Sequence, residues 1–155
     1  VPAMVEVNLF HRSPERVERV VSYLERLGGE DVLGRVQSSR LKGIASDRAM
    51  CCTEGIYAAD VVLIPLEDGD RAGALVRAGK KVLAVDLNPL SRTSLESHVT
   101  VVDELTRAVP NIERAVKELE HDVPERRRLI AEFDNSLNLR LSRKLMCQLL
   151  EGEMK

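Results

Sequence analysis

Asp60-Val61-Val62-Leu63-Ile64-Pro65-Leu66, followed by Glu67-Asp68-Gly69-Asp70-Arg71, is the stretch on which the fold turns. The first part is almost continuously apolar, the pattern of a strand buried on both faces of a parallel sheet. It stops in acidic residues and a glycine, the composition of a turn beyond a strand's carboxyl end. Toward the C-terminus, Ala72 to Ala78 reads as a short helix ended by Gly79, and Lys81-Val82-Leu83-Ala84-Val85-Asp86 as the next strand. Leu87-Asn88-Pro89-Leu90-Ser91-Arg92-Thr93 is a polar loop. Val99-Thr100-Val101-Val102 is a further strand, with Asp103 placed to cap the helix after it. Toward the N-terminus, Val5 to Phe10 reads as a strand ending in His11-Arg12. Ser13 and Pro14 then suit a helix start. Val17, Val20, Val21, Leu24 and Leu27 share one helical face, and Gly28-Gly29 stops it. Val32-Leu33 reads as a short strand, and residues 34–54, polar and without period, as a long loop.

This alternation predicts an α/β fold, a doubly wound, Rossmann-like parallel sheet with a helical C-terminal tail. A single domain is expected over 1–155, with a strand-helix core at about 3–118 and the tail at about 119–155. Pro110 and Pro124 mark boundaries or kinks. Phe133, Leu137, Leu141, Leu145 and Leu149 recur every four residues, an apolar stripe for core packing or a subunit contact.

The net charge of −2 gives no broad attraction to nucleic acid or to an anionic membrane surface, and no apolar run approaches the ~20 residues of a membrane span. Cys51, Cys52 and Cys147 form neither a disulfide framework nor a zinc spacing, so a reducing cytoplasm is the expected setting. A chain that starts at Val1 reads as a processed, trimmed or partial polypeptide.

Ligands of open α/β sheets bind beyond the carboxyl ends of the strands, and two such ends are rich in polar groups here. Gly69 permits a sharp turn and close approach to a ligand. The helix start after it offers N–H groups to an anion. Arg71 and Arg92 have the paired donors that grip phosphate or carboxylate. Asp68 and Asp70 have the oxygens that Mg²⁺ prefers. Asp86 stands where a carboxylate accepts from ribose hydroxyls, and Asn88, Ser91 and Thr93 supply neutral donors and acceptors. An ordinary reading stands beside this one: Asp and Gly are common turn residues, Asp70 and Ser91 are good helix caps, and neither G-x-G-x-x-G nor G-x-x-x-x-G-K-[ST] occurs. His11 and Arg12, at a strand end, are placed to reach the same crevice. His98 and His121 are isolated, Cys51-Cys52 has no evident base, and Arg126-Arg127-Arg128 reads as a solvated helix face.

Several stretches carry a family resemblance: Glu6 to Arg12; Glu54-Gly55-Ile56-Tyr57-Ala58-Ala59-Asp60 running on through Arg71; Asp86 to Thr93; and Val101-Val102-Asp103-Glu104 with Arg107-Ala108 and Pro110. In order and spacing they resemble the C-terminal part of archaeal-type phosphopantothenate synthetase, from about residue 5 to about residue 118. The resemblance implies an ATP-dependent ligase that joins 4-phosphopantoate to β-alanine in coenzyme A biosynthesis, releasing AMP and diphosphate, with Mg²⁺ on the polyphosphate. It implies nucleotide contacts from Asp68, Gly69, Asp70, Arg71, Asp86, Leu87 and Asn88. Substrate contacts are expected from Ser91, Arg92, Thr93 and Arg12, with no resident metal site and no catalytic residue assigned. It also implies a cytoplasmic homodimer acting on small molecules. The family's N-terminal part, with its own ligand motifs, is not matched here, and the Arg71-Ala72-Gly73 turn carries smaller residues than the family pattern. The alternatives are a non-catalytic module binding a nucleotide or phosphometabolite, and a dimerisation scaffold.

Overall fold

The computed structural model describes residues 3–66 and 69–152. Glu67 and Asp68, the first residues of the acidic turn, lie outside them. The structure is mixed α/β with a three-stranded parallel sheet and helices through the C-terminal tail, so the Rossmann-like reading of the sequence stands. The chain divides into two compact units, Val1–Val62 with Ala74–Lys80, and Leu63–Gly73 with Lys81–Lys155.

In the first unit, helix α1 (Pro14–Arg26) begins as the sequence indicates: the Ser13 hydroxyl accepts from the Arg16 N–H, and Pro14 occupies the first turn. Val17 and Val21 bury their side chains with Val7 and Val32, and Leu9, Val20 and Leu24 pack against that cluster. Gly28, at φ +96°, ends the helix, and the Gly29 N–H turns back to Leu24 O at 2.9 Å. The expected strands at 5–10 and 32–33 shrink to a single parallel bridge, Glu6 with Leu33. Gly34 sits at φ +123°, where an added Cβ would lie 2.4 Å from Val7 O, so a side chain there would push the two segments apart.

Residues 34–54 are largely irregular, as the sequence indicates, but not without order. They hold an antiparallel ladder of β1 (Ser39–Arg40) and β2 (Met50–Cys51), joined through a 3₁₀ turn at Asp47–Ala49. Leu41, Ile44, Ala49, Cys51 and Cys52 are buried there. Two-residue strands are too short to show a period-two pattern, which is why the sequence concealed them. A wide turn follows at Thr53–Tyr57. The Glu6 carboxylate holds it by accepting from the N–H groups of Cys52 (2.9 Å) and Ile56 (2.7 Å). Burial, then the charge of Glu6, pushes the Cys51 thiol up to about 11, so it is not a nucleophile near neutrality.

The sheet runs in the order β3 (Val61–Ile64), β4 (Lys81–Val85), β5 (Val99–Val101). β4 and β5 are parallel, with Leu83 beside Val99 and Val85 beside Val101. The expected burial of β3 on both faces is corrected: Ile64 is 1% exposed, but Val61 and Leu63 are 57% and 49% exposed. β3 is an edge strand, and alternate residues of an edge strand face different surroundings. Helix α2 (Gly69–Arg77) follows β3, and the short α3 (Arg92–Glu96) connects β4 to β5.

The tail comprises α4 (Leu105–Leu119), α5 (Val123–Glu132) and α6 (Asn135–Leu150). Glu104, not Asp103, caps α4, accepting from the Thr106 N–H, while Asp103 pairs with Arg107. Pro110 lies inside α4 rather than at a boundary, whereas Pro124 sits in the first turn of α5 as expected. Leu137, Leu141, Leu145 and Leu149 are exposed along α6, and Phe133 is also exposed. The stripe is therefore not core packing. The buried residue of α6 is Leu139, two positions from both Leu137 and Leu141 and so off that line. No described helix is long and apolar enough to cross a membrane.

Candidate functional site

The turns after β3 and β4 meet. Gly69, the first residue of α2, is buried against Arg92, the first residue of α3, so closely that a Cβ on Gly69 would lie 2.4 Å from the Arg92 Cβ. Glycine is required there because any side chain would displace Arg92. One residue on, the Arg92 guanidinium donates to the Asp70 carboxylate at 2.6 Å. Both side chains stay solvent-facing, so the pair adds little stability, about 0–1 kcal/mol. Its importance is positional: a cation and an anion from two strand ends stand together on an accessible surface.

The loop beyond β4 is built on Asp86. Its carboxylate accepts from the Asn88 N–H at 2.9 Å and from the Ser91 hydroxyl. The Ser91 oxygen in turn accepts from the Ser94 N–H at 3.0 Å, which caps α3. The Asn88 side chain accepts from the Leu90 N–H, and the Ser94 hydroxyl donates to Asn88 O. Each bond replaces one that water would otherwise make, so the loop is held in a single shape. Asp86 is only 7% exposed and Thr93 fully buried. Asp86 does not stand free at its strand end to meet a ribose: tying its own loop together draws the carboxylate inward.

Of the residues singled out in the sequence, Gly69, Asp70, Asn88, Ser91 and Arg92 come together through these contacts. Leu87, Asn88, Asp70 and Arg92 are exposed, and Arg71 is half-buried. Arg12 belongs to the first unit, where its guanidinium donates to Gly34 O and Arg35 O. His98 is structural: its Nδ1 accepts from the Val82 N–H at 3.2 Å. Among the described residues no group of three His, Cys, Asp or Glu is placed to hold a metal ion.

Sequence reasoning missed Asn135. Its side-chain oxygen accepts from the Thr100 N–H, and its amide donates to Ser94 O and Ser97 O. Asn138 adds a bond to Thr100 O at 2.8 Å. These bonds tie the start of α6 to β5 and to the helix carrying Arg92. The only local signal is Asp134, a good helix cap one residue before Asn135.

The family model described as phosphopantothenate/pantothenate synthetase matches residues 1–149. The chain belongs to this family. As a member of the phosphopantothenate/pantothenate synthetases, it is 54% identical over 120 residues to a 4-phosphopantoate–beta-alanine ligase of Methanospirillum hungatei, covering 77% of this chain and 49% of that protein. It is 44% identical over 138 residues to the ligase of the same name from Methanosarcina mazei, covering 88% and 54%. The Thermococcus kodakarensis ligase is 41% identical over 139 residues, covering 88% and 53%. The chain thus spans about half the length of the curated relatives it matches. The family match also takes in most of the helical tail, beyond the stretch of resemblance that ends near residue 118.

Proposed function

We propose that this chain is the nucleotide-handling part of an ATP-dependent ligase joining 4-phosphopantoate to β-alanine, giving 4′-phosphopantothenate, AMP and diphosphate. The observation that carries this reading is the meeting of the Gly69–Asp70 turn with Arg92. It supplies an exposed guanidinium beside a helix start, the two kinds of donor that hold polyphosphate. In this reading a substrate carboxylate oxygen attacks the α-phosphate and displaces diphosphate. The β-alanine amine then attacks the acyl carbon and displaces AMP. Arg92 offsets the negative charge that develops on phosphate, with Asp70 orienting it until ligand arrives. Asp68, Gly69, Asp70, Arg71, Leu87 and Asn88 take the nucleotide. Asp86 and Ser91 act chiefly by holding the loop, given their burial and mutual bond, and the buried Thr93 holds the next turn by accepting from the Ser97 hydroxyl. Mg²⁺ would arrive with the polyphosphate, whose oxygens supply most of its ligands, and the exposed Asp70 carboxylate would be the protein's contribution to its shell.

The same reading makes the protein a cytoplasmic homodimer. Three free cysteines suit a reducing compartment, and the exposed leucines of α6 suit a second copy. The test is AMP formation from ATP with both substrates, together with ATP titration of the wild type and of Arg92→Ala. AMP formed in step with amide product, and weakened ATP binding in the variant, are expected. Absence of nucleotide binding overturns the reading. A non-catalytic nucleotide-binding module is the second reading; tight ATP binding with no AMP would select it.

A further inference from the structure

The first unit contains a cavity of about 560 Å³ whose charged lining residues are all cations: Arg40, Lys42, Arg77 and Lys80. Among the described residues no carboxylate lines it, although the chain as a whole carries more acids than bases. The Lys80 ammonium is fixed in place, donating to Tyr57 O at 2.6 Å and to Ala59 O at 2.7 Å. Arg40, Lys42 and Arg77 are exposed and have no side-chain partner among the described residues. Four like charges around one concavity repel one another, and an anion entering it relieves that repulsion. The lining also has apolar parts: Leu41 and Ala74 are buried, and Tyr57 adds a ring. Such a volume is the size of a small-molecule site.

We propose that this cavity binds a small organic phosphate, with the phosphate held by Arg40, Lys42 and Arg77 and the carbon skeleton against Leu41, Ala74 and Tyr57. Guanidinium groups supply paired donors to phosphate oxygens, and lysine supplies a compact charge. The site shares no residue with the Asp70–Arg92 cluster, and only the choice of 4-phosphopantoate as the organic probe rests on the ligase reading.

The test is calorimetric titration of the chain with 4-phosphopantoate, with inorganic phosphate and with diphosphate. It compares the wild type, Lys42→Gln, Arg40→Gln/Lys42→Gln and, as a control, Arg126→Gln on the exposed face of α5. Phosphate esters should bind the wild type, each cation removed should weaken binding roughly tenfold, and the control should leave it unchanged. In the wild type the Gly43 amide resonance should move on titration, a readout that needs no variant to fold. Tighter binding of the ester than of the inorganic ions identifies an organic ligand. Equal binding of all three keeps the anion site and overturns the organic part of the proposal. Undiminished affinity in the folded double variant, an equal loss in Arg126→Gln, or binding without movement of Gly43 overturns the whole. If ATP binding still depends on Arg92 in any of those cases, the ligase reading survives by itself.

Discussion

At the scale of single residues, Asp86 and Gly69 make the sharpest predictions. Both Asp86 carboxylate oxygens are engaged inside the loop. Asp86→Ala leaves the Asn88 N–H and the Ser91 hydroxyl without their acceptor, which costs about 1–3 kcal/mol. Urea unfolding should therefore show a lower midpoint together with weaker nucleotide binding; an unchanged midpoint would mean the loop does not need the carboxylate. Gly69→Ala acts differently. Its methyl group would occupy the space of the Arg92 Cβ, so the helix start and Arg92 must separate. ATP affinity should fall by more than the thermal midpoint suggests, and Arg92→Lys, which keeps the charge, should retain more affinity than Gly69→Ala. These residue types were legible as site candidates in the sequence, but their division of labour was not. Whether a strand-end aspartate faces solvent or its own loop depends on partners that spacing alone does not place.

At the scale of elements, two attachments matter. Asn135 joins α6 to β5 and α3 through Thr100, Ser94 and Ser97. Asn135→Ala removes several part-buried bonds at once and should cost about 2–4 kcal/mol. Hydrogen exchange at the Thr100 amide should speed up markedly more than at amides of α1. The second attachment is Arg35, which donates to both Glu18 and Glu25 and so clamps α1 to the segment after Gly34. The hydrogen bonds from Arg35, then that from Ser22, hold the Glu18 carboxyl down at about 2, against an ordinary 4.5; Glu25 is lowered by the same guanidinium. A carboxyl depressed in the folded state contributes stability that is complete above about 4.5 and is lost as pH falls toward about 2. Acid denaturation over that window should be shallower in Arg35→Ala than in the wild type, as followed by circular dichroism. The longer helices and the three strands of the parallel sheet were legible from apolar runs, period and caps. The 39–51 hairpin was not, because strands of two residues owe their place to the buried Leu41, Ile44 and Cys51 around them.

At the scale of the whole molecule, the apolar stripe on α6 remains solvent-facing in the single chain. If a second copy covers it, Leu141→Glu/Leu145→Glu should shift sedimentation toward the monomer while leaving the circular dichroism spectrum unchanged. A monomeric wild type would remove that role from the stripe. The every-four spacing was visible in the sequence, but it is shared by helices that pack inward and helices that pack on a partner. Leu139, which has no place in the spacing, is the residue that faces in.

Residue order by itself decided the alternation of strands and helices, the caps at Ser13 and Ser91, the polar strand ends and the family pattern, because each depends on neighbours a few positions apart. The fold decided that Gly69 and Arg92 touch, that Asn135 holds the tail, and that four cations surround one cavity. Those outcomes join residues separated by about twenty to forty positions, and contacts at that range exist only once the chain has packed.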